Sequence, residues 1–119
     1  MKDDRLYLIH ITECIDRVES YTQGMAKEAF LASPMVQDAV IRNLQTLAES
    51  TQRLSARAKD SQPGIDWRKI AGFRNVLVHD YLGVDLDRIW TIIRNDLSVL
   101  RNAVDQMLGP NRPIPPAGE

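Results

Sequence analysis

The sequence has one cysteine, no long apolar run and almost no net charge. Cys14 alone excludes an internal disulfide framework and leaves no thiol cluster for structural zinc. Its apolar neighbours at helical spacing predict a buried small side chain rather than a reactive thiol. No apolar run approaches the roughly 20 residues that span a bilayer, and the N-terminus does not resemble a signal peptide. We therefore expect a cytoplasmic protein with no membrane contact.

The charge balance argues against binding of nucleic acid through overall positive charge. The formal net charge is −1 and the pI is about 6.1. A strongly basic chain would be typical of a protein that binds nucleic acid through bulk charge. If this chain acts on RNA, its positive charge must be local. The length of 119 residues, with 44% hydrophobic and 26% charged residues, indicates one ordinary globular domain.

Apolar residues recur at helical spacing along most of the chain, with no convincing alternating strand and no repeat. The predicted helices span about residues 4–25, 34–59, 65–80 and 86–108. Ser33 and Pro34 mark the start of the second helix, as N-cap and first helical residue. Gly109 and Pro110 end the fourth.

These features predict an all-α fold, a helical bundle of four main helices. Residues 1–109 form the predicted helical domain, and residues 110–119, with four prolines, form a C-terminal tail that cannot continue a helix. The sequence contains no glycine-rich phosphate loop, metal-ligand cluster or Ser-His-Asp arrangement. Neither a metal nor another cofactor is predicted.

The end of the third predicted helix concentrates chemically useful side chains. An arginine, an amide, an imidazole, a carboxylate and a phenol occur within residues 74–81. Crowded polar groups on a short, otherwise apolar element cost stability unless they pair, which suggests a function. Asn75 and His79 are four residues apart and share a helical face, so the amide could orient the imidazole. Arg74 and His79 lie about 140° apart around an ideal helix.

Ribonuclease chemistry on these residues predicts a dimer. RNA cleavage without a metal needs a base, an acid and a cation on the phosphorane. One chain offers a single histidine here, because His10 lies far away in sequence. A two-fold dimer would bring together two copies of His79 and of Arg74.

Structural roles for the same residues remain open from spacing alone, and spacing alone favours them. Arg74 would then pair with Asp66 or Glu49. His79 would stabilise the C-terminal end of its helix. Tyr81 would anchor a half-buried ring.

The segment 74–81 resembles the Arg-x4-His-x-Tyr signature of HEPN-domain toxins of the HepT type. The flanking residues 67–73 and 82–85, and residues 36–44 on the second predicted helix, also resemble this family. The likeness covers about residues 4–108. Family members often have Gly-Glu-Ala in the second helix, whereas this chain has Ala48-Glu49-Ser50. Glu49 therefore matches the acidic residue of the family pattern, but Ala48 stands where family members have glycine.

The resemblance implies a HEPN-like bundle that dimerises with the motif in its cleft. It also implies a toxin ribonuclease restrained by a nucleotidyltransferase antitoxin of the MntA type, in a homodimer or a higher assembly with the antitoxin. The residues that it implies for the site are Arg74 and His79 as catalytic residues, Asn75, Glu49 and Asp80 as supporting residues, and Tyr81 as the acceptor of AMP.

Two other functions fit the same residues. One is a non-catalytic binding partner or substrate of such a nucleotidyltransferase, which would need only an exposed Tyr81. The other is a purely structural dimerisation bundle.

Overall fold

The computed structural model describes the backbone of residues 2–78 and 85–109, and the side chains of residues 4–74 and 85–109. All regular structure in this part of the chain is helical, which confirms the all-α prediction. The helices are, in chain order, α1 (Lys2–Thr22), α2 (Lys27–Leu31), α3 (Pro34–Gln52), α4 (Ala56–Asp60), α5 (Trp67–Val78), α6 (Leu86–Thr91) and α7 (Leu97–Leu108), with a π-helical turn (Ile92–Asp96) between the last two. The predicted tail, residues 110–119, lies outside the described residues.

The four main elements, α1, α3, α5 and the α6–α7 segment, surround one apolar core. Helix α3 packs between α1 and α5, and α7 packs against α1. The largest fully buried side chains include Ile11, Ile15, Leu44, Leu47, Phe73, Leu97 and Leu100. Burying one such side chain stabilises the fold by about 1.5–3 kcal/mol. Each helix within the described residues is too short or too polar to cross a bilayer.

The second predicted helix is interrupted after Gln52, and α4 forms a separate turn. The side chain of Ser55 caps α4 by accepting a hydrogen bond from the Ala58 N–H at 3.0 Å. The carboxylate of Asp4 in turn accepts hydrogen bonds from the Ser55 N–H at 2.8 Å and from its hydroxyl at 2.7 Å. This contact ties the first turn of α1 to the start of α4.

The short helix α2 is an element that the sequence pattern did not predict. Its Phe30 is fully buried, with its ring centroid 5.3 Å from that of Trp90. The amide of Gln37, on α3, donates to the backbone carbonyls of Phe30 at 2.9 Å and Leu31 at 3.1 Å. These bonds satisfy carbonyls at the C-terminal end of α2 that have no partner within the helix.

The fourth predicted helix contains a π-helical turn instead of running as one regular α-helix. The Leu97 N–H donates to the carbonyl of Ile92, five residues earlier. Ile92 and Leu97 are both buried. In a regular α-helix these two side chains would point about 140° apart. The π-helical turn allows both to enter the core.

We predict that Asp4→Ala destabilises the protein in a pH-dependent way. The two hydrogen bonds from Ser55 lower the pKa of Asp4. A folded-state pKa below the unfolded value means that the stabilisation is present above the unfolded pKa and is lost as pH falls through the folded pKa. Urea unfolding at pH 7 should show a loss of about 1–2 kcal/mol.

The difference between wild type and Asp4→Ala should shrink as the pH falls from about 5 towards 2. Glu13→Ala, which removes an exposed carboxylate from the same helix, is the control and should change stability by less than about 0.5 kcal/mol. A difference that stays constant across this pH range would contradict the proposed role of the Asp4 carboxylate.

We also predict that Cys14 is unreactive in the folded protein. Its side chain is 1% exposed, and burial raises the pKa of the thiol to about 11. Because the thiolate is the nucleophile, iodoacetamide at neutral pH should leave Cys14 unmodified until the chain is unfolded in guanidinium chloride. Mass spectrometry measures the modification. Rapid alkylation of the native protein would show that this side chain is accessible.

Candidate functional site

Helix α5 carries the first residues of the predicted motif and is fixed at its start and along its inner side. The carboxylate of Asp66 accepts a hydrogen bond from the Lys69 N–H at 3.0 Å and so caps the helix. The indole N–H of Trp67 donates to the carbonyl of Lys59 at 3.0 Å. Ile70 and Phe73 are buried in the core that α5 shares with α3. These contacts determine which side of α5 faces the core.

Arg74 follows the buried Phe73 and is exposed. The structural role considered above, an ion pair with Asp66 or Glu49, is not found. Asp66 is engaged at the start of α5, and Glu49 is exposed on α3 without a salt bridge to Arg74. Among the described residues, the guanidinium of Arg74 forms no ion pair. No described carboxylate therefore neutralises its charge.

The rest of the predicted site is described only in part. Asn75 continues α5, but its side chain is outside the described set. His79, Asp80 and Tyr81 lie outside the described residues. The orienting contact from Asn75 to His79 therefore stays a prediction, as do the roles of Asp80 and Tyr81. The chain resumes at Asp85, whose carboxylate caps α6 by accepting from the Arg88 N–H at 3.1 Å.

Two contacts made by the segments before and after the motif in the sequence were not predicted. Lys69 forms an ion pair with Asp96 at 3.1 Å, joining α5 to the π-helical turn. The guanidinium of Arg94 lies 5.6 Å from the ring centroid of Trp90. A spacing of four residues hinted at the second contact. No local signal pointed to the first, because its partners are 27 residues apart.

Neither of two clefts formed by described residues is lined by Arg74. The larger cleft, with a volume of about 480 Å³, is lined by residues of α1, α4 and α7 and by Ser61, with none from α5. Within residues 2–78 and 85–109, no three His, Cys, Asp or Glu side chains are grouped as metal ligands.

Comparison with known proteins gives a consistent assignment over most of the chain. A family model described as HepT-like ribonuclease matches residues 11–107. A Thermococcus cleftensis protein named "probable ribonuclease HepT" is 33% identical over 101 residues, covering 85% of this chain and 92% of that protein. A Caldanaerobacter subterraneus protein named "putative RNase" is 30% identical over 108 residues, covering 91% of this chain and 96% of that protein.

A longer relative shows that the same domain occurs in a larger protein. The Methanocaldococcus jannaschii protein named "gamma-glutamylcyclotransferase and putative RNase" is 33% identical over 103 residues, which is 87% of this chain. The chain spans only 46% of that relative's length. No solved structure matches the chain significantly. The family match extends from α1 to α7 and includes the whole motif, so the chain belongs to the family of HepT-like ribonucleases.

Proposed function

We propose that this chain is a metal-independent endoribonuclease, the toxin of a toxin–antitoxin pair, with Arg74 and His79 acting in the cleft of a homodimer. The observation that carries the proposal is the exposed guanidinium of Arg74, which forms no ion pair with any described residue. Burial of Ile70 and Phe73 in the core leaves the Arg74 side chain at the surface. Membership of a ribonuclease family supports RNA as the substrate.

The local charge of α5 supports the binding of a phosphodiester. The helix has three cationic side chains, Arg68, Lys69 and Arg74, and no acidic one. Lys69 is paired with Asp96, whereas Arg68 and Arg74 are exposed and form no ion pair among the described residues. A chain with a net charge of −1 thus presents positive charge on one helix. A guanidinium binds phosphate oxygens in a bidentate manner.

The proposed chemistry is an internal transesterification. A neutral imidazole removes the proton from the ribose 2′-OH, and the 2′ oxygen attacks the adjacent phosphorus. The bond from phosphorus to the 5′ oxygen breaks, and a protonated imidazole donates a proton to that oxygen. The products are a cyclic phosphate and a free 5′-OH. Arg74 stabilises the negative charge on the phosphorane.

A homodimer supplies the second imidazole that this chemistry needs. Ala71 and Gly72, which are small and half-buried, lie between Arg68 and Arg74, and a Cβ added at Gly72 would meet no atom within 4 Å. A second copy of the chain can therefore approach this helix closely. One His79 then serves as base and its symmetry mate as acid.

The first test is RNA cleavage in EDTA by Arg74→Ala and His79→Ala. We expect each variant to lose at least about 100-fold in kcat/KM, since each removes a charge-stabilising or proton-transferring group. Arg17→Ala, which removes an exposed arginine from α1, should keep wild-type activity. Light scattering confirms that each sample is a dimer. Cleavage that survives both substitutions, or requires a divalent metal, would contradict the proposed mechanism.

We further propose that an MntA-type nucleotidyltransferase restrains this activity by transferring AMP to Tyr81. Tyr81 is two residues after His79 in sequence. An attached AMP would place bulk and negative charge beside the groups that must receive the substrate phosphate. Like-charge repulsion and exclusion of the RNA backbone would then block cleavage.

This regulation can be tested with the transferase and ATP. Mass spectrometry should detect addition of one AMP to the wild-type chain and to Tyr21→Phe, but not to Tyr81→Phe. Tyr21 is a suitable control because it is an exposed tyrosine on α1. Wild-type cleavage should fall as modification rises, and any cleavage by Tyr81→Phe should be insensitive to the transferase. Full modification without loss of cleavage would exclude this form of control.

A further inference from the structure

An ion pair joins the two segments that flank the motif. The Nζ atom of Lys69, on α5, lies 3.1 Å from Oδ1 of Asp96, in the π-helical turn. The Asp96 side chain is 17% exposed and that of Lys69 is 46% exposed. Residues 74–81 lie between these two positions in the sequence. The ion pair therefore closes a loop of chain that contains the complete Arg-x4-His-x-Tyr motif.

The π-helical turn directs Asp96 towards α5. In a regular α-helix, a residue four positions after Ile92 would lie on nearly the same side as Ile92. Ile92 is 1% exposed, so Asp96 would then enter the core, where a carboxylate is costly. The extra residue in the turn places Leu97 in the core instead and leaves Asp96 at its edge. The π-helical turn therefore allows Asp96 to lie where it can pair with Lys69.

Helix α5 is closely packed on its α3 side and less closely packed on its α7 side. Ile70 and Phe73 are buried in the core shared with α3. Towards α7, a cleft of about 180 Å³ lies beside the start of α5, and its lining includes Ile70, Val99 and both members of the ion pair. Val99 is 55% exposed. On this side of α5 the ion pair, rather than close apolar packing, joins the helix to the rest of the fold.

We propose that Asp96, through Lys69, is a positioning residue for Arg74, an inference that rests on the proposed ribonuclease function. Arg74 lies five residues further along the same helix, about 7.5 Å along its axis. Side-chain tips lie about 6 Å from a helix axis, so a roll of about 10° displaces them by about 1 Å. A displacement of about 1 Å can lower a catalytic rate by up to 100-fold.

The test combines cleavage kinetics with hydrogen exchange on Asp96→Asn. We expect kcat to fall about 3- to 10-fold with little change in KM, because substrate still binds but Arg74 is misplaced at the transition state. The thermal midpoint should change by less than about 2 °C, since an ion pair with an exposed partner contributes little to stability. Amide protons of α5 should exchange faster than in the wild type, and those of α1 should not.

Charge reversal and a matched control separate positioning from general damage. Lys69→Asp combined with Asp96→Lys should restore most of kcat and the slow exchange of α5. Glu19→Gln removes one carboxylate from the ion pairs of Arg101 between α1 and α7, at 2.6 Å, and should leave both readouts at wild-type values. Lys69→Gln breaks the pair from its exposed end if Asp96→Asn does not fold.

The outcomes distinguish this inference from the proposed function. If the wild type cleaves RNA and Asp96→Asn matches it in kcat and in α5 exchange, Asp96 has no positioning role. A loss that charge reversal does not restore also overturns that role. If the wild type does not cleave RNA, the proposed function fails, and exchange alone decides whether the ion pair restrains α5. Unchanged exchange in Asp96→Asn would then overturn the restraint as well.

Discussion

Burial of Ile70 and Phe73 beside α3 is the constraint on which the candidate site depends. These two side chains fix which side of α5 faces inward, and Arg68 and Arg74, at two other positions around the helix, are then exposed to solvent. The hydrophobic contact is not directional by itself. Three polar contacts orient α5 more specifically than apolar packing alone. They are the Asp66 cap, the hydrogen bond from Trp67 and the Lys69–Asp96 ion pair.

The long helices could be predicted from the sequence because each buries a stripe of helical period. Ile11, Ile15 and Val18 on α1 and Val40, Leu44 and Leu47 on α3 are all fully buried, as their spacing indicates. Helix α2 escaped prediction because five residues are too few to show a period. The start of α4 depends on hydrogen bonds from Ser55 to Asp4, 51 residues earlier, and no local pattern reveals a bond of that sequence separation.

The candidate site was predictable to the extent that it is a local motif. The sequence singled out Arg74, and the structure leaves its guanidinium exposed without the ion pairs that a structural role would need among the described residues. Residue spacing did not decide between a structural and a catalytic role. Whether Arg74 pairs with Asp66 or Glu49 depends on where these carboxylates lie in three dimensions, and the catalytic role of Arg74 stays a prediction. The Lys69–Asp96 ion pair is also a tertiary contact, which residue spacing does not reveal because the two residues are far apart in sequence.

The π-helical turn also has an evolutionary consequence. The stretch from Ile92 to Leu97 contains one residue more than a regular helix would place between two buried positions. Loss of a single residue there would bring Ile92 and Leu97 to the four-residue spacing of a regular α-helix, so Leu100 and Val104 would keep their places in the core. The apolar core alone therefore does not require the extra residue. Relatives with the same core can be one residue shorter in this segment and have a regular helix there.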